Sequence, residues 1–388
     1  MTPTLTGAAP NFVVTFVDDN TGTIDNNLEL RVAAGTNELE WAVNGGPFSN
    51  DLDPAGGTQS ATFDDIADII VQMELGSDAL TWDLQTFAFD ALIIPDVGNP
   101  QQTNLLLEDT GSGDTVDVNL TGTEIIVFNG SGGNDMLTAD TGGGDHNLRV
   151  DNFNTSLDRI TSDVLPEIRF GDLDTLEISQ ATVGTDVVTF ATLNLIGADN
   201  YQTDLFAFDT LVIEGSNAVN ETYTIEQSGI GVTVTDVVGG VSIEQLTSSL
   251  GLLRIESLGG NDRVTVDIDT TSPIIVPILF DGGFGADELT VTGTPTTAID
   301  EVIYTPGPAT GAGNLRYENA ANARLMSIEF ANLAPVVDLV PAAILTVNGT
   351  NANNAINYGP GSVATNGLVS VDGFETIEFS NKTTLVLN

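Results

Sequence analysis

The chain contains no cysteine, one lysine (Lys382), one histidine (His146) and only nine basic residues among 388. Without cysteine there is neither a disulfide nor a thiolate metal site. Nine Lys and Arg stand against 55 Asp and Glu, for a formal net charge of −46. No basic patch exists to neutralise phosphates, so nucleic acid and anionic membrane surfaces are excluded as partners. No window approaches 18 apolar residues, so no membrane span is expected. Helical periodicity is scarce, and its best windows are 155–168 and 318–330. The opening "MTPTLTGAAPNFVV" lacks the basic and long apolar regions of a Sec signal. An extracellular or cell-surface location is expected, with the export signal removed or placed elsewhere, ahead of a cytoplasmic one.

Catalytic patterns are also scarce. There is no G-x-x-x-x-G-K-[ST], and neither a serine elbow nor a cysteine accompanies His146, which reads as a surface-loop histidine. A polyuronate lyase needs basic groups that this chain lacks. A glycosidase needs two carboxylates about 5–9.5 Å apart, a condition that so many acids meet by chance. Aromatic residues make up 6%, with two tryptophans, Trp41 and Trp82. The expectation is a non-enzyme.

What remains is β pattern. Hydrophobic residues make up 41% and charged residues 16%, the composition of a packed core and not of a disordered acidic tail. Runs such as "NFVVTFV", "EIIVF", "RVTVDI" and "TLVLN" are bounded by Gly, Asn, Asp and Pro every eight to twelve residues. Two octapeptides nearly repeat, "FAFDALII" at Phe87 and "FAFDTLVI" at Phe206. A turn pattern recurs seven times, starting at Gln72, Glu108, Asn129, Glu214, Glu256, Asp281 and Asn348. Its first and seventh residues are acids or amides, Gly-rich residues lie between, and an apolar residue usually follows two places later. Most spacings fall near multiples of 21 to 22 residues, the length of a solenoid coil. The predicted fold is an all-β, elongated parallel β-solenoid with irregular insertions; tandem β-sandwich domains are the alternative. The expected organisation is an N-terminal arm (1–27) and three β-repeat regions (28–150, 151–300, 301–388). The residues Val264, Leu289 and Ile356, each two places after a turn, are expected to face one continuous core.

The turns have a possible chemistry. Ca²⁺ takes six to eight oxygens from carboxylates, amides and backbone carbonyls. Glycine lets backbone carbonyls turn inward. The copies with acids at both ends are the best metal candidates: Asp281 with Asp287, Glu256 with Asp262 and Asp267, and Glu108 with Asp114 and Asp117. Asn129 with Asp135 follows. Asn-Asp-Gly turns also satisfy their own backbone with no metal.

The stretches "LGGNDRVTVD" (258–267), "FDGGFGADELTVTG" (280–293), "LTVNGTNANNAINYG" (345–359) and "NGSGGNDMLTAD" (129–140) resemble the Gly/Asp-rich repeats of hemolysin-type calcium-binding (RTX) proteins. They look closer still to repeats of large surface proteins of planctomycetes and other aquatic bacteria. The resemblance implies a secreted structural protein of the cell surface or extracellular matrix with Ca²⁺-stabilised turns. Such a protein is expected to assemble head-to-tail into filaments or arrays, with extracellular polysaccharide as a further candidate partner. An adhesin or glycan-binding module is the alternative, and a polysaccharide-active enzyme is a weaker one.

Overall fold

The alternation of apolar and polar residues becomes strand throughout. The computed structural model describes all residues except 18–25, 54–56, 74–77, 84–88, 96–101, 110–114, 122, 131–133, 181–183 and 269–272. The described chain is strand and turn, with one 3-10 turn at Phe63–Asp65. The two windows with helical spacing are strand as well. The first contains Asp158–Ser162 and runs into Glu167–Gly171; the second runs into Arg324–Ala331. In the latter Met326, Ile328 and Phe330 are all buried, a period of two that a helix could not place on one face.

The chain forms two compact units, residues 1–186 with 195–202, and residues 187–194 with 203–388. Each is all-β and solenoid-like, with strands one coil apart paired in parallel. In the first unit one sheet includes Asn11–Val17, Ile66–Gln72 and Thr115–Thr121, paired in parallel in that order. The other includes Asn27–Val32, Ala79–Asp83, Ile125–Asn129 and Glu167–Gly171, again parallel. In the second unit one sheet carries Thr222–Ser228, Arg263–Asp267, Glu288–Thr292, Val336–Asp338 and Ile377–Phe379. Its other sheet carries Thr210–Glu214, Leu252–Glu256, Ile278–Asp281 and Arg324–Ala331. It continues antiparallel through Gly313–Glu318 and Glu301–Pro306, then parallel through Ala342–Val347 to Lys382–Leu387. These two strand sets are called the first and second sheet of their unit below. Parallel pairing between successive coils is what separates this fold from tandem antiparallel sandwiches.

The irregular repeat spacing has a topological cause. In a bare coil, paired positions lie 25 residues apart, as for Asp262 and Asp287. Where an antiparallel hairpin enters the coil they lie 41 apart, as for Glu221 and Asp262. The inserted strands Gly231–Asp236 and Val241–Gln245 widen the sheet while the next coil regains register.

Side chains facing inward stack in columns. Val264 lies beside Leu289 and both are buried. Ile356 does not join them: it is half-buried on Ile356–Pro360, a strand paired only in an antiparallel hairpin with Gly367–Val371. The octapeptide repeat is not a structural repeat either. Leu92 of the first copy is half-buried in the first sheet of its unit, whereas the matching Leu211 is fully buried in the second sheet of the other. A one-residue change of phase in a strand exchanges its inner and outer faces.

Glycines at the corners are fixed by backbone contact. Gly285 has φ +146°, and a Cβ there would lie 1.5 Å from the carbonyl oxygen of Gly260, one coil away. At Gly373 an added Cβ meets nothing within 4 Å. Gly285→Ala is therefore expected to destabilise the second unit by more than about 4 kcal/mol or prevent its folding, and Gly373→Ala to stay within about 1 kcal/mol of wild type. Urea unfolding of the two variants checks this; equal midpoints would show that the corner tolerates separation of its coils.

Candidate functional site

Each coil turns between its two sheets, and three such corners stack in the second unit: 215–221, 257–262 and 282–287. The flanking strands set their register. Glu214 lies beside Glu256, which lies beside Asp281, on the entry side. Thr222 lies beside Arg263, which lies beside Glu288, on the exit side. The last residues of the three corners, Glu221, Asp262 and Asp287, thus form one column. Aligning the turns by sequence places Asn220 in that column. The first corner is one residue longer than the other two, so Glu221 takes the position instead.

Two hydrogen-bond ladders run through this column in opposite directions. The Glu221 N–H donates to Asp262 Oδ1 at 2.8 Å, and the Asp262 N–H donates to Asp287 Oδ1 at 2.8 Å. One residue earlier, the Asn261 N–H donates to Asn220 Oδ1 at 2.8 Å, and the Ala286 N–H donates to Asn261 Oδ1 at 2.9 Å. Each corner is therefore tied to its neighbour by two side chains. Gly260 and Gly285, at φ +148° and +146°, allow the backbones to come close enough for this.

All three acids are at most 1% exposed. The second oxygens, Oε2 of Glu221 and Oδ2 of Asp262 and Asp287, accept no hydrogen bond. Burial pushes the Glu221 carboxyl up to about 7, with the adjacent Asp262 carboxylate adding to the shift. Burial, and then the Asp262 carboxylate, also holds Asp287 above the usual carboxylate range.

The same device recurs in the first unit. There the His146 N–H donates to Asp186 Oδ1 at 2.8 Å and the Thr185 N–H donates to Asp145 Oδ1 at 2.9 Å. A Cβ on Gly184 would lie 1.8 Å from the Gly144 carbonyl oxygen. A search for acid-flanked turns misses these corners because His146 closes the first and the amide Gln180 opens the second. Their mark is shorter: glycine, any residue, then the last corner residue before a strand. The buried Asp78 and Asp135 stand at equivalent ends. The Asn26 N–H donates to Asp78 Oδ1 at 2.8 Å, and the Asp135 N–H donates to Asp174 Oδ2 at 2.9 Å.

The other candidate metal residues point elsewhere. Asp281 Oδ1 accepts from the Asn332 amide at 2.7 Å and the Gly283 N–H at 3.1 Å. Glu256 forms an ion pair with Arg254 of its own strand. Asp267 ends its strand in register with Glu226 and Thr292. Asp117 is exposed and lies in register with Asp68. Glu108 is exposed on a strand that folds back antiparallel, so it flanks a hairpin and not a corner. Asn129 ends its strand beside Gly171. Asp114 lies outside the described residues. His146 Nδ1 lies 3.4 Å from the Asp163 carboxylate.

Gly282–Thr290 fits the calcium nonapeptide G-G-x-G-x-D-x-apolar-x at each fixed position. Asp287, the acid of this stretch, belongs to the carboxylate column. Its three unbonded oxygens are hard ligands of the right kind, but the ion takes six to eight. The first oxygens of Asp262 and Asp287 are already held by N–H groups. Among the described residues no group of three or more His, Asp or Glu is disposed to hold a metal.

No protein-family model, curated protein or solved structure matches the chain.

The raised carboxyls give the column a pH dependence with a defined sign. Between the ordinary glutamate value of 4.5 and about 7, Glu221 is protonated when folded and ionised when unfolded. Its contribution to stability is therefore full below the lower value, declines as pH rises through this window, and is level above it. Glu221→Gln keeps an uncharged side chain at every pH. Urea unfolding between pH 5 and 8 should show a smaller loss of stability with rising pH in Glu221→Gln than in wild type; parallel curves would mean that Glu221 titrates normally.

Proposed function

We propose that this chain is a structural module of an extracellular assembly, not an enzyme, and that it associates with further copies of itself. The observation that carries this reading is the use made of its polar residues. At the corners Asp262, Asp287, Asn220 and Asn261 accept hydrogen bonds from the neighbouring coils. Coils held in register by buried side chains suit a structural role.

Two further features support assembly. Lys382–Leu387 pairs with Ala342–Val347 on one side only among the described residues, and its residues are exposed or half-buried. Such an edge is a template for another strand. The charged groups are also unevenly placed. All nine basic residues lie in strands: four arginines in the second sheet of the first unit, and Arg254, Arg316, Arg324 and Lys382 in the second sheet of the second unit. Arg263 alone lies in a first sheet. Acids stand in register in both sheets, Asp68 beside Asp117 and Glu226 beside Asp267 in the first sheets and Glu214 beside Glu256 in a second. Like charges directly opposite one another are destabilising.

Calcium enters as the counter-ion that relieves this repulsion and lets copies approach. Light scattering and electron microscopy of the full chain test the reading. Filaments or arrays are expected with millimolar Ca²⁺, and their loss is expected with chelator at matched ionic strength. A chain that stays monomeric in both favours the second reading, an adhesin or glycan-binding module. That reading draws on Phe284, which is 85% exposed at a corner of the column.

Thermal melts separate calcium stabilisation from assembly. Free Ca²⁺ at a hundredfold its dissociation constant would add about 2.7 kcal/mol. The melting temperature should rise by several degrees at protein concentrations where no assembly occurs. Coincident melts with Ca²⁺ and with chelator would remove calcium from the proposal while leaving assembly to be judged by scattering.

A further inference from the structure

We propose that Lys382 and Asp338 join their side chains in an intramolecular amide, an isopeptide bond that ties the two sheets of the second unit together. Lys382 is the only lysine in the chain. Its side chain is 1% exposed, that of Asp338 is 0% exposed, and Nζ lies 2.8 Å from Oδ2. Asp338 ends Val336–Asp338 in the first sheet, and Lys382 begins Lys382–Leu387 in the second. The arginines that form the other ion pairs are all more exposed, from 25% at Arg169 to 46% at Arg316. The single amine in this set is the one placed in the interior. A guanidinium stays protonated and does not acylate, whereas a desolvated lysine amine is a nucleophile. A buried ion pair is seldom more stable than an apolar pair of the same size, so stability alone gives no reason for this one.

The surroundings are arranged for condensation. Nζ donates to the carbonyl oxygens of Val340 at 2.5 Å and Ser380 at 3.0 Å, which fix the amine against the carboxyl. Asp338 Oδ1 accepts from the Tyr317 hydroxyl at 3.3 Å and from the Val340 N–H at 3.2 Å. Oδ2 has Nζ as its neighbour at 2.8 Å. One oxygen is thus held by two donors, and the other faces the nucleophile. Burial disfavours both charges of the pair and promotes transfer of a proton from the ammonium to the carboxylate. Burial also holds the Asp338 carboxyl above its usual range even with Lys382 beside it.

The step balances within the pair. The ammonium passes a proton to Oδ2. The freed lone pair on Nζ attacks Cγ and forms the C–N bond. Negative charge collects on Oδ1, where the Tyr317 hydroxyl and the Val340 N–H stabilise it. A second proton moves from nitrogen to Oδ2, the Cγ–Oδ2 bond breaks, and Oδ2 leaves as water. The amide nitrogen keeps the third hydrogen. No oxidant, reductant or activated donor takes part. Holding the two groups in contact supplies the effective concentration that a free amine and acid lack.

The intact mass of the purified, denatured full-length chain tests this. Wild type is expected to be lighter than its sequence by one water, with proteolysis yielding a branched fragment that carries both residues 338 and 382. Lys382→Arg and Asp338→Ala should each return the mass to that of the sequence. A wild-type mass equal to the sequence, with residue 382 open to an amine-labelling reagent after denaturation, overturns the proposal. A water loss that persists in Lys382→Arg also overturns it, because a cyclised aspartate elsewhere would then be the cause. The wild-type measurement is decisive even if neither variant folds.

Discussion

The contact on which the rest depends is a carboxylate accepting the backbone N–H of the neighbouring coil. A parallel strand pair satisfies its own backbone, but a corner between sheets has no ladder to join. The N–H groups of Glu221 and Asp262 there are buried by the coils on either side. Leaving one unpaired costs about 1–3 kcal/mol. Asp262 and Asp287 meet this need from the next coil along, and Asn220 and Asn261 meet it from the coil before. The glycines follow as a consequence: side chains can bridge coils at this distance only if Gly260 and Gly285 bring nothing between the backbones.

Stacking acids in this way has an electrostatic consequence. Each coil added to the column buries another carboxyl beside the last, and desolvation together with mutual repulsion disfavours ionising all of them. The raised carboxyls of Glu221 and Asp287 are the result. The column ends where the next coil, with Asn332, Leu333, Ala334 and Pro335 at its corner, supplies no acid. There the Ala334 N–H turns to the Asp287 backbone carbonyl. In the same unit, the one buried carboxylate given a buried cation is Asp338 with Lys382, and that pair links strands of opposite sheets.

The sequence alone determined the all-β class, the position of the turns and the inward phase of residues such as Val264 and Leu289. These depend on local pattern: alternation with period two, and glycine where the backbone must turn. It also marked Asp262, Asp287 and Asp135, because each closes a copy of the recurring Gly-rich turn. Only the tertiary structure decided what those acids do, since their partners lie 25 to 41 residues away and the distance depends on whether a hairpin has been inserted. For the same reason Glu221 and not Asn220 joins the column, and Asp186 belongs to a corner that no flanking acid announces. Near-identity of the two octapeptides did not fix their faces, because a strand's inner side is chosen by the register of its neighbours. In the sequence Lys382 stands out only as the single lysine. Burial placed it against Asp338, since whether a polar side chain meets water or a partner is settled by which strands pack over it.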